Sequence, residues 1–165
     1  MSLSPLEVAI IAEANLRIQE ESLARIVQCL DSLTLEQVWS VPDPVLNSVG
    51  NLVLHLSGNL RQYLCHGIGE EADNRERDSE FVPGQNISKE ELQRVITSTV
   101  KDSLICVQRT TDWTTEREIQ CFTMTKYRAL IHAIEHLSYH VGQITLLTKW
   151  HTGQETHYYG DLDLA

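Results

Sequence analysis

Three histidines, His132, His136 and His140, follow one another at intervals of four toward the C-terminal end of the chain. On a helix that spacing places them on one face, one turn and about 6 Å of rise apart. Two imidazoles so arranged can reach a single metal ion, which is why His pairs at i and i+4 recur in metal sites. A fourth histidine, His55, lies far away in an apolar stretch, with Asn51 and Asn59 one helical turn to either side. A polar strip therefore interrupts an otherwise hydrophobic helix, and such a strip costs stability unless its members are paired or hold a ligand. A divalent cation is the ligand these donors point to.

Spacing alone does not select which of the three C-terminal histidines bind. His132-Ala-Ile-Glu135-His136 matches the His-x-x-Glu-His of inverted zinc peptidases, which makes His132 a competing ligand. No Glu-x-x-His occurs, so a di-iron carboxylate bundle is excluded.

Four long amphipathic segments must position these residues. Ser4-Pro5 opens the first, Ser as N-cap and Pro in the first turn, and Leu6, Ile10, Leu16, Leu23, Ile26, Val27 and Leu30 supply its apolar stripe. Residues 33–44 read as a connection closed by Pro42-Asp43-Pro44. The second helix runs from Asn47 or Ser48 to about Cys65, carries His55, and stops at Gly67-Ile68-Gly69. A third starts at Ser88, with Glu91 placed for a capping box, and continues through Val107. Residues 110–124 look irregular, with a short extended piece over 117–122. The last helix starts near Thr125, runs to about Trp150 and carries the histidine triplet. Rods of this length span about 30 Å each. Without a convincing strand pattern they imply an all-α fold, an up-and-down-type four-helix bundle in which residues 1–165 form one domain. The polar tail after His151 is expected to pack loosely or to cap one end.

Composition narrows the partners. The 165 residues hold 13 Lys and Arg against 23 Asp and Glu, a formal net charge of −10. Such a surface repels both a nucleic-acid backbone and an anionic membrane. Residues 70–80, rich in acids, read as a solvated connection rather than a partner site. No secretory signal or membrane-length apolar run is visible. Cys29, Cys65, Cys106 and Cys121 are widely spaced and read as reduced, packed thiols, so a cytoplasmic location is expected. Neither Cys65, beside His66, nor Cys121 stands out as a nucleophile.

The stretch Asn47 to Gln62, with His55 at its centre, and the stretch His132-Ala-Ile-Glu-His136-Leu-Ser-Tyr-His140-Val-Gly-Gln143 resemble the DinB-like superfamily of metal-binding four-helix proteins, which also includes YfiT-like proteins and thiol-dependent S-transferases. The pattern of that family is one His in the second helix and a His-x-x-x-His pair just before a Gly-Gln in the last. Carried over, the resemblance implies His55, His136 and His140 as ligands. The chain departs from the pattern at Val141, where the family often has Arg. Residues 77–81 also resemble a segment of one branch. Three neutral imidazoles leave an open position on the ion, the arrangement of a catalytic rather than a closed structural site. Zinc and nickel both accept imidazole. The resemblance implies a metal-dependent transferase joining a low-molecular-weight thiol to a small-molecule electrophile, or a related hydrolase, working as a homodimer. The contrasting expectation is a non-catalytic, metal-stabilised dimeric bundle with a stress-related or binding role. Asn51, Asn59, His132 and Gln143 are the candidates for residues that support the ligands.

Overall fold

The computed structural model describes residues 3–82, 85 and 87–160. Helix α1 covers residues 5–32 in three continuous pieces, Pro5–Asn15, a π-helical stretch Leu16–Leu23, and Ala24–Ser32. Its start is the expected one. The Ser4 hydroxyl accepts from the Glu7 amide, and the Glu7 carboxylate accepts from the Ser4 amide. Helix α2 is a short helix, Leu35–Trp39, within the segment expected to be a plain connection. Its cause is local, a second reciprocal cap between Thr34 and Gln37.

Helix α3, Val49–Leu60, continues as a π-helical turn, Arg61–His66. Helix α4 is Lys89–Arg109, and helix α5 is Lys126–Thr152. Ser48, Ser88 and Thr125 cap α3, α4 and α5 in turn. At Ser88 only half of the expected box forms, because the Glu91 carboxylate turns outward to Arg94. The extended piece between α4 and α5 is a hairpin, β1 Glu116–Ile119 paired antiparallel with β2 Phe122–Thr125. Buried Ile119 and the side chain of Gln120 fasten its turn to α3, Gln120 bonding to Gln62 and Tyr63.

Helix α1 packs against α4 and α5, and α3 packs against the same two, which sets α1 diagonal to α3 and α4 diagonal to α5 among the described residues. The long connections before α3 and before α5 make these diagonal crossings possible. One core fills the bundle, with Ile18, Ile26, Leu30, Leu52, Leu56, Leu60, Leu92, Ile96 and Leu130 fully enclosed. The tail caps one end through Tyr158. The Thr145 hydroxyl donates to the Val141 carbonyl, so it accepts from the Tyr158 hydroxyl, which in turn accepts from the Cys29 thiol. No helix among the described residues is long and apolar enough to cross a membrane.

Candidate metal centre

The two distant histidine motifs meet because α3 packs on α5. His55 on α3 is only 5% exposed, and His136 and His140 on α5 are half-buried. The ring nitrogens of the three lie within 4.8 Å of one another, and the Nε2 atoms of His55 and His136 are 2.9 Å apart. The rings present edges rather than stacked faces, with His136 and His140 centroids 4.5 Å apart at 82° and His55 and His140 5.0 Å apart at 82°. Edge-on approach brings lone pairs to a common point, as a shared cation requires.

The surroundings assign the tautomers. His55 Nδ1 lies 2.8 Å from Glu80 Oε2. Burial alone would raise the Glu80 carboxyl, but hydrogen bonds from Arg75 and His55, with the guanidinium charge, outweigh it and hold the group below the usual carboxylate range. An ionised carboxylate only accepts, so Nδ1 carries a proton and Nε2 is the nitrogen turned toward His136 and His140. His140 is set in the same way by a neighbour one turn on, its Nδ1–H donating to the Gln143 carbonyl oxygen at 2.7 Å. Burial, reinforced by the neighbouring imidazoles, pushes His136 down to about 3, and burial also lowers His140. His136 and His140 are therefore neutral donors at neutral pH. Carboxylate or carbonyl partners of this kind fix the orientation and raise the basicity of metal-binding imidazoles. The residues present fit a divalent cation.

Glu80 and Arg75 are the residues that sequence reasoning missed. Both belong to the acidic stretch expected to be a solvated connection, yet Glu80 is 7% exposed and the Arg75 side chain 4%. Arg75 grips the carboxylate with two bonds, Nε to Oε1 at 2.7 Å and Nη2 to Oε2 at 2.8 Å, and donates from Nη1 to Gln62. A short 3₁₀ turn, Arg77–Phe81, delivers Glu80 to His55, and Phe81 lies against the His55 ring. For Glu80, though not for Arg75, the signal was present in the partial likeness of residues 77–81 to a family segment. Composition, which sees six carboxylates and expects solvent, obscured it.

The remaining candidates divide. Asn51 anchors the turn, donating to the carbonyls of Glu80 and Val82. Gln143 orients His140. His132 lies outside the nitrogen cluster and stacks on Tyr63, ring centroids 4.1 Å apart, with burial lowering its pKa. Asn59 is buried, and among the described residues its side-chain oxygen has no partner. His66 and His151 bond elsewhere, to the Glu71 carbonyl and to Ser40.

A DinB-like protein from Bacillus cereus ATCC 10987 matches with a TM-score of 0.64 at 20% identity, covering 79% of this chain and 85% of that one. This likeness shows that the chain has a DinB-like fold. Residues 12–159 match the family DUF1572, described as a protein of unknown function, and the chain belongs to that family. A search of curated proteins gave no match.

Proposed function

We propose that this protein binds one divalent cation, zinc or nickel, through Nε2 of His55 and the imidazoles of His136 and His140. The observation that carries the reading is the Glu80–His55 pair, a buried carboxylate that orients the ring and turns its Nε2 toward the imidazoles of His136 and His140. Bound there, the ion supplies Lewis acidity at an open position, where it lowers the pKa of a water or a small thiol. The chain's own part is to hold three imidazole donors in register. Arg75 keeps Glu80 ionised, Glu80 orients His55, and Gln143 orients His140.

The reaction class that follows is transfer of a low-molecular-weight thiol to a small electrophile, or a related hydrolysis. His136 and His140 are half-buried, which gives a ligand access from the solvent side. The competing reading is a non-catalytic, metal-stabilised bundle. It is favoured by one observation: a cleft of about 640 Å³ is lined by Arg75 and Glu80 but not by the three imidazoles. A panel of small thiols offered with a chromogenic electrophile separates the two. Metal-dependent turnover that disappears in His140→Ala supports the enzyme, and stoichiometric metal without turnover across the panel supports the binding role. A homodimer in the cytoplasm completes the proposal. The exposed apolar residues Tyr127 and Ile131 line, with Ile10 and Ile134, a groove between α1 and α5 and support a second copy docking there. Sedimentation of an Ile131→Glu variant as a monomer, against a dimeric parent, is the expected outcome.

A further inference from the structure

Cys65, Cys106 and Glu71 form a second cluster, separate from the imidazoles. The Sγ atoms and a carboxylate oxygen lie within 4.8 Å of one another. Three elements build it. Cys65 comes from the π-helical turn that ends α3, and Cys106 from α4. Glu71 is folded back on them, its amide donating to the Cys65 carbonyl at 3.1 Å. The Cys106 thiol faces Glu71 Oε1 at 3.7 Å, and Cys65 Sγ lies 3.6 Å from the Ser103 hydroxyl. The backbone is shaped around the sulfur, since a Cβ on Gly69 would stand 2.4 Å from Cys106 Sγ. Cys65 is 2% and Cys106 8% exposed, whereas Glu71 is exposed. Cys65 and Glu71 also line the 640 Å³ cleft, which gives an entry path from solvent.

Two roles compete for a pair of enclosed thiols beside a carboxylate. A nucleophilic role is opposed by the electrostatics. Burial, with the other thiol and Glu71 nearby, pushes Cys106 up to about 12, and burial raises Cys65 as well. Thiols so placed are poor nucleophiles. A cation reverses this balance, because it replaces the two thiol protons with a double positive charge that two thiolates and a carboxylate together compensate.

We propose that Cys65, Cys106 and Glu71 are a second metal site, for a soft divalent cation of the zinc and cadmium class, with water from the cleft as fourth ligand. Thiolate donors select such ions over the hard cations. On binding, two S–H protons pass to solvent and two sulfur–metal bonds form, with no change of oxidation state. A tetrahedral zinc–sulfur distance of about 2.3 Å places two sulfurs about 3.8 Å apart. The two sulfurs therefore need to close by no more than about 1 Å.

Full-length protein, reduced with a phosphine, is titrated with cadmium alone while sulfur-to-cadmium charge-transfer absorption and proton release are followed. The expected result is an absorption that saturates at one equivalent in the parent, in a Cys29→Ser/Cys121→Ser variant and in His136→Ala. It is abolished in Cys106→Ser. Glu71→Gln, a change at an exposed side chain, keeps the fold and weakens binding about tenfold or more. No absorption at equimolar cadmium, absorption that survives Cys106→Ser, or unchanged affinity in Glu71→Gln overturns the proposal. Loss of the absorption in His136→Ala also overturns it, whereas failure of the imidazole centre alone leaves the thiolate signal in place.

Discussion

Gly58 lies one turn after His55 on the same helix, and replacing it with alanine tests the Glu80 support without touching a ligand. A Cβ at position 58 would stand 2.0 Å from Glu80 Oε1 and 2.9 Å from its Cδ. Ordinary contact requires the carboxylate to retreat by more than an ångström, and it has no slack to do so. Oε1 accepts from Arg75 Nε at 2.7 Å, and Oε2 accepts from Arg75 Nη2 and His55 Nδ1, both at 2.8 Å. A displacement of that size exceeds the roughly 0.5 Å range over which such bonds persist. Breaking a buried ion pair costs about 3–5 kcal/mol. Alanine in a helix interior recovers about 1 kcal/mol over glycine. The net expectation is a loss of about 2–4 kcal/mol in the metal-free protein. Affinity for the ion should fall 10- to 100-fold, the usual effect of removing a partner that orients a ligand. Urea unfolding of the metal-free protein and a competition titration with a chromophoric chelator read the two effects. Helix propensity alone predicts the opposite sign. A Gly58→Ala protein that is about 1 kcal/mol more stable, with unchanged affinity, would refute the reasoning.

Other perturbations separate the remaining elements of the account. His136 is held near 3 in the fold against an ordinary value near 6.5 in the unfolded chain. The unfolded state therefore takes up the proton first, and the metal-free protein loses stability as pH falls from about 6.5 towards 3. Allowing for the part exposure of the ring, this amounts to about 1–3 kcal/mol, and a urea midpoint that stays flat from about pH 7 to about pH 4 contradicts it. Asn51→Ala removes the amide donor shared by the carbonyls of Glu80 and Val82, costs about 1–3 kcal/mol by urea titration and weakens metal binding; full affinity in that variant counts against the turn as a positioning device. Tyr158→Phe removes the hydroxyl that joins Cys29 to Thr145 and should lower stability by about 1 kcal/mol in thermal unfolding without altering the metal content.

The helices, their caps and the ligand-bearing faces were legible because each rests on local chemistry. Ser4, Ser48 and Thr125 sit where the chain needs acceptors for free amides, and the i, i+4 histidines need only helical periodicity. The pairing of His55 with His136 and His140 came from family resemblance, since it depends on how α3 meets α5. Glu80 and Arg75 were illegible for a different reason. Their burial is created by one another and by Asn51 and Gln62, and an acidic stretch gives no local sign that two of its charges will be enclosed. The meeting of Cys65 with Cys106 likewise follows from the packing of α3 against α4, which sequence spacing does not encode. The short helix α2 was readable in principle from Thr34 and Gln37, a cap at the start of a segment too short to display a period.

The most direct measurement is divalent metal content in protein purified gently without an affinity tag, compared across His136→Ala, His140→Ala and His132→Ala variants with all four cysteines retained. The account predicts a stoichiometric ion in the parent and in His132→Ala whose imidazole-bound share disappears in His136→Ala and His140→Ala. A parent without bound metal, or His140→Ala that keeps its full content while His132→Ala loses it, contradicts the assignment of His55, His136 and His140.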